Sequence, residues 1–196
     1  MTQRTRRENT RRRRPPQQES RPILLVVYGA ARTEKDYVEA VCASHPESAR
    51  VTGQCTAVDP ATLVRKAVKI RELHSRDYDE VWCVVDVDSF DLAPALAAAR
   101  KAGVQVAVSN VCFEYWLLLH FEDSGEAFRD GSEVIRRLRR HVAHYDKTTL
   151  DFADFAPGVA AAVQRAEGRC AAGLEHHRNP STGMWRLVRA LVPGRY

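Results

Sequence analysis

Short apolar runs recur along the first part of the chain, each closed by a polar break and followed by a stretch with helical spacing. Ile23–Tyr28 and Val81–Val87 are apolar without alternation. A continuous apolar run bounded by polar residues fits a strand buried on both faces, as in a parallel sheet. Val51–Val58 is a weaker second strand, and Val104–Val108 a fourth that ends at Ser109-Asn110. Between them, Thr33 is placed to cap a helix from Glu34 to about Ser44, with Tyr37, Val38 and Val41 on one face. Asp59-Pro60 starts a second helix running to about His74, because Asp caps well and Pro suits a first turn. Asp91–Lys101 is an Ala-rich third helix stopped by Gly103. Four strands alternating with three helices predict an α/β fold, a parallel sheet covered on both faces by right-handed crossovers.

Beyond strand four the pattern is helical. Helices are expected over Phe113 to about Phe121, Ser132 to about His144 and Gly158 to about His176. A final helix, capped by Ser181 or Thr182, runs to about Leu191. An acidic loop (122–131) and breaks at Asp146–Thr149 and Asn179–Thr182 separate them. No internal repeat is visible.

The chemistry concentrates where strands end. Asp86 and Asp88 close the third strand one residue apart, so on a continuing strand both side chains face the same way, about 6.5–7 Å apart. In open α/β sheets ligands bind outside the carboxyl ends of the strands. Paired carboxylates there repel unless a proton or cation lies between them, and Mg²⁺ prefers such oxygen ligands. The alternative is a helix cap by Asp88 beside a solvated Asp86. Thr33-Glu34 and Ser109-Asn110 fall on the same expected edge. Glu114, just past strand four, is a further carboxylate within reach of it, or else an ion-pair partner of an arginine. His120 is a candidate for chemistry, with a hydrogen-bonded core role as the alternative. The run Arg136, Arg137, Arg139 and Arg140 is a phosphate-binding candidate or a solvated face. Lys147 could offset phosphate charge or sit on the surface. His176-His177 is discounted as a metal pair because neighbours on a helix point apart.

Composition narrows this picture. The chain has 196 residues, 44% hydrophobic and 28% charged, and no apolar run approaches the roughly 18 needed to suggest a membrane span. Five scattered cysteines without a CxxC pair argue against disulfides or zinc and fit a reducing cytoplasm. Residues 1–22 hold eight arginines against Glu8 and Glu19, so this tail carries +6 of the net +5 and the rest sums to −1. The tail is expected to be disordered and, through its Arg cluster, is either a salt-dependent nucleic-acid contact or a solubilising leader. No phosphate loop, GxGxxG or GxSxG is present, which disfavours P-loop NTPase, dinucleotide and serine-hydrolase chemistry.

Several stretches together resemble the RloB family, the AbiLii type of abortive-infection proteins. They are Arg32-Thr33-Glu34 with Tyr37, Asp86-Val87-Asp88-Ser89-Phe90, the long segment Ser109–Phe121, Tyr145-Asp146-Lys147, and Asn179-Pro180-Ser181-Thr182. The likeness covers roughly residues 22–192, and a single domain is expected over 23–192. It implies a Toprim-like fold and a nuclease acting on DNA or RNA in bacterial anti-phage defence, beside an AAA-type or ABC-type ATPase partner. Mg²⁺ (or Mn²⁺) would be held by Asp86 and Asp88. Glu34, Glu114 and Lys147 would be catalytic, with Arg32, Arg136 and Arg140 against nucleic acid and Asn110 and His120 as further site residues. One position departs from the family's pattern. The usual Glu at the end of strand one is Gly29 here. Either Glu34 takes over, or the protein binds nucleic acid or the ATPase without cutting. A metal-dependent sugar or phosphate transferase would use a DxD as well.

Overall fold

The computed structural model describes residues 21–29, 32–87 and 91–196. The expected tail disorder and the placement of Asp88 lie outside these residues. The sheet has five strands in the order β2-β1-β3-β4-β5. β1 (Ile23–Tyr28), β2 (Arg50–Cys55), β3 (Glu80–Asp86) and β4 (Val104–Asn110) are parallel. β5 (Ser181–Thr182) joins β4 antiparallel, Ser109 facing Thr182 and Asn110 facing Ser181. The result is the expected α/β fold of Rossmann-like type, with one strand that the sequence pattern hid. Two residues are too short a run to show a periodicity, and Ser181-Thr182 reads as a helix start.

Both faces of the sheet are covered. On one, α1 (Thr33–Ala43) buries Tyr37, Val38 and Val41, alongside α4 (Phe113–Leu118), α5 (Gly131–Leu138), α6 (Val159–Glu167) and α7 (Met184–Leu191). On the other, α2 (Pro60–Leu73) and α3 (Ala93–Ala102) pack Leu63, Val64, Ala67, Ala95 and Ala99 against Leu25, Val27, Val81, Cys83 and Val85. Alternate residues of β1 and β3 thus enter opposite cores, the reason those strands are apolar throughout. The Asp59 carboxylate accepts from the Thr62 N–H at 2.9 Å and starts α2. Gly103 ends α3 in the left-handed region at φ +70°, where a side chain would be strained. Among the described residues no helix is long and apolar enough to cross a membrane.

Several boundaries differ from expectation. Thr33 is not the cap of α1. Arg32 holds that position without a side-chain bond, and the Thr33 hydroxyl is used elsewhere. α5 stops at Leu138, and α6 spans only Val159–Glu167 before Gly168. Gly183, not Ser181 or Thr182, stands at the cap of α7, although the Met184 N–H donates to Thr182 Oγ1 at 3.3 Å. His176 and His177 do not point apart. They lie in a single 3₁₀ turn, Glu175–His177, with ring centroids 3.8 Å apart.

Candidate active site

Strand order places the crevice. The chain leaves β1 through α1 to β2 on one side and returns through α2 to β3 on the other, so β1 and β3 form the topological switch point, where open α/β sheets bind ligands. Gly29 follows β1, Asp86 ends β3, and Glu34 sits in the first turn of α1. All three line one pocket of about 190 Å³, with Pro60 and Leu63 on its α2 side. Among the described residues nothing within 4 Å would meet a Cβ built on Gly29.

Glu114 comes from the next strand over. β4 ends at Asn110, and α4 begins at Phe113, which turns Glu114 inward to 4% exposure. Its Oε1 is 3.0 Å from Lys147 Nζ and accepts from the Tyr145 hydroxyl at 3.3 Å. Lys147 is delivered by a turn in which Asp146 Oδ1 accepts from the Thr148 N–H at 2.6 Å. The Thr33 hydroxyl donates to the Lys147 carbonyl and so ties that turn to the start of α1.

The electrostatics follow from crowding carboxylates under partial burial. Burial first, then the charges of Glu34 and Glu114, push Asp86 well above the usual carboxylate range, against a backbone hydrogen bond from Phe113. Burial and Glu114 raise Glu34 to about 7. Burial works against the Lys147 ammonium, but Glu114 outweighs it and the pKa is raised. Among the described residues two buried carboxylate oxygens, Asp86 Oδ1 and Glu34 Oε2, find no hydrogen-bond partner. Buried polar atoms of this kind are normally satisfied, and a proton or a cation would satisfy these two.

By chemistry this donor set suits a hard divalent cation. Its convergence is incomplete. Among the described residues no three His, Cys, Asp or Glu groups gather closely enough to hold a metal ion. Asp88, the second residue of the motif, lies outside that count.

The other sequence candidates separate. Asn110 stands at the same edge, but its amide donates to the carbonyls of Glu175 and His176 at 3.3 and 3.4 Å and holds the 3₁₀ turn. His120 belongs to the core, not the site. Its Nδ1 donates to the Trp116 carbonyl at 2.9 Å, which leaves Nε2 to accept from the Tyr37 hydroxyl at 2.9 Å. Burial lowers its pKa to about 4. Arg32 is exposed beside Thr33 and Glu34. Arg136 is exposed and pairs with Glu133 at 3.4 Å, and Arg140 is exposed. Arg137 is taken up by Glu122 and Glu126. The parts that Thr33 and Tyr145 play were not anticipated. Both stand within the sequence stretches that suggested the family, but only the tertiary contact reveals what their hydroxyls do.

The model of the RloB-like protein family matches residues 23–191. The chain belongs to the RloB-like family. The matched span takes in every strand and all four residues Glu34, Asp86, Glu114 and Lys147. No curated protein and no solved structure matches the chain.

Proposed function

We propose that this RloB-like protein is a metal-dependent nuclease with a Toprim-like site, hydrolysing phosphodiester bonds of DNA or RNA. The observation that carries the reading is the pair of buried oxygens, Asp86 Oδ1 and Glu34 Oε2, that find no partner among the described residues at the switch point of the sheet. Asp86 and Glu34, with Asp88 from the same motif, would hold Mg²⁺ or Mn²⁺. Such an ion supplies Lewis-acid polarisation of a phosphoryl oxygen and a bound water of lowered pKa. Glu114, held by Tyr145 and Lys147, keeps a carboxylate beside the pocket to position that water or accept its proton. Lys147 carries positive charge that can offset charge developing on the phosphate. Arg32, exposed two residues before Glu34, would with Arg136 and Arg140 on the surface offer contacts for a polyanion. Anti-phage defence in the cytoplasm beside an ATPase partner is the setting the family resemblance implies.

Gly29 favours a second reading, a protein that binds nucleic acid or the ATPase without cutting. Glycine can neither ligate a cation nor take a proton, and losing a general base costs about 10²–10⁴ in rate. One experiment separates the two. The full chain, Asp86→Asn and Gly29→Glu are assayed on plasmid DNA and bulk tRNA with Mg²⁺ or Mn²⁺. Wild-type cleavage that Asp86→Asn lowers by about 10²-fold or more supports the nuclease. Cleavage gained only in Gly29→Glu, where no described residue meets the added Cβ, supports the binding module. No cleavage by any of the three sinks the nuclease reading.

A further inference from the structure

The carboxylates meet a cation that the chain supplies itself. Lys147 has a side chain 56% exposed, yet its ammonium turns inward to a Glu114 carboxylate that is 5% exposed, 3.0 Å away. An ordinary surface lysine gains little from such a contact, because exposed ion pairs contribute about 0–1 kcal/mol and order a long side chain. Here the backbone that carries the side chain is fixed by its neighbours. Thr33 holds the Lys147 carbonyl from α1. Asp146 and Thr149 close the turn by an antiparallel bridge, and Asp146 Oδ1 also accepts from the Thr148 hydroxyl at 2.6 Å. Tyr145, buried two residues earlier, bonds the same Glu114 oxygen. Glu114 Oε1 is therefore occupied twice, by a cation and by a hydroxyl.

We propose that Lys147 is the internal counter-ion of the carboxylate cluster, occupying the place of a divalent cation in the metal-free protein and giving way when one binds, with Thr33 as the positioning residue that keeps it there. The inference rests on the metal-centre reading above and adds to it a competition between two cations for one set of oxygens. The ammonium holds the Glu114 carboxylate against the Lys147 turn. Metal entry releases the ammonium, which is then free to meet a phosphate.

The test uses the full chain and Mn²⁺ alone, with affinity read by calorimetry. Lys147→Gln is expected to bind Mn²⁺ about tenfold tighter than wild type, since a positive charge a few ångströms from a divalent ion has been removed. Lys147→Arg, which keeps the charge, stays near wild type. Thr33→Val shifts affinity in the same direction as Lys147→Gln by a smaller factor, whereas Thr33→Ser, which keeps the hydroxyl, does not. The Thr33 pair carries the comparison if Lys147→Gln fails to fold. Wild-type binding left unchanged or weakened by Lys147→Gln overturns the competition while the metal centre stands. Absence of Mn²⁺ binding in both wild type and Lys147→Gln overturns the metal centre, and the competition with it.

Discussion

Glu34 is the residue at which burial and charge most visibly conflict. Its carboxyl has an ordinary value of 4.5 and is raised to about 7 in the folded chain. Between these two values the folded protein holds a proton that the unfolded chain has released. Stability contributed by this group therefore falls as pH rises from about 4.5 to 7. Glu34→Gln removes the conflict. The metal-free variant should melt above wild type at pH 8 and lose that advantage by about pH 4.5, while binding Mn²⁺ more weakly. A variant that melts lower than wild type at pH 8 would show that the Glu34 charge is well compensated. His120 shows the opposite sign. Its pKa is lowered to about 4, so the unfolded chain takes up the proton first, and its contribution is lost as pH falls from about 6.5 toward 4. Urea titrations of His120→Ala should show a loss of about 2–4 kcal/mol at pH 7, from the Tyr37 hydrogen bond and the space left among Trp116, Phe155 and Tyr37.

At the scale of elements, the close contact between α4 and the chain entering α6 is set by a missing side chain. A Cβ on Gly158 would lie 2.5 Å from the His120 carbonyl oxygen and 2.7 Å from its Cβ. Gly158→Ala should destabilise by about 1–3 kcal/mol, read from the urea midpoint. An unchanged midpoint would mean that the 3₁₀ segment Ala156–Gly158 can slide. The first four strands and three helices were legible in the sequence because burial on both faces leaves long apolar runs, and Asp59-Pro60 and Gly103 punctuate them. The later elements were not, because their ends are fixed by contacts distant in sequence. Asn179 is one example. Its side chain bonds both the N–H and the carbonyl of Phe128, at 3.1 and 2.7 Å, so what reads as a break is a brace. Ser181-Thr182 is another, completing a sheet edge with Ser109, which lies 73 positions before Thr182. The carboxylates of the site were legible from their place after strands. Their partners were not, since nothing local marks a threonine that serves a distant turn.

At the scale of the molecule, the pocket at the switch point sits between the two cores, under α1 on one side and α2 on the other. A ligand bound there by the folded chain alone should stabilise the whole fold. Mn²⁺ at 100 times its dissociation constant would add about 2.7 kcal/mol and raise the melting temperature, an effect that Asp86→Asn should abolish. A metal-induced rise that survives in Asp86→Asn would locate the ion elsewhere.

The hydrogen bond from Thr33 to Lys147 spans 114 positions of sequence. Closing so large a loop is entropically unfavourable until both ends are already structured, and contacts of this range form slowly. During synthesis, the ribosome will have emitted β1, α1 and β3, with Glu34 and Asp86, well before Lys147 exists. The sheet half can therefore gather its carboxylates early, but the counter-charge arrives only with the last third of the chain. The contact between Glu114 and Lys147 can form only once that stretch has been made, and the order of translation itself delays it.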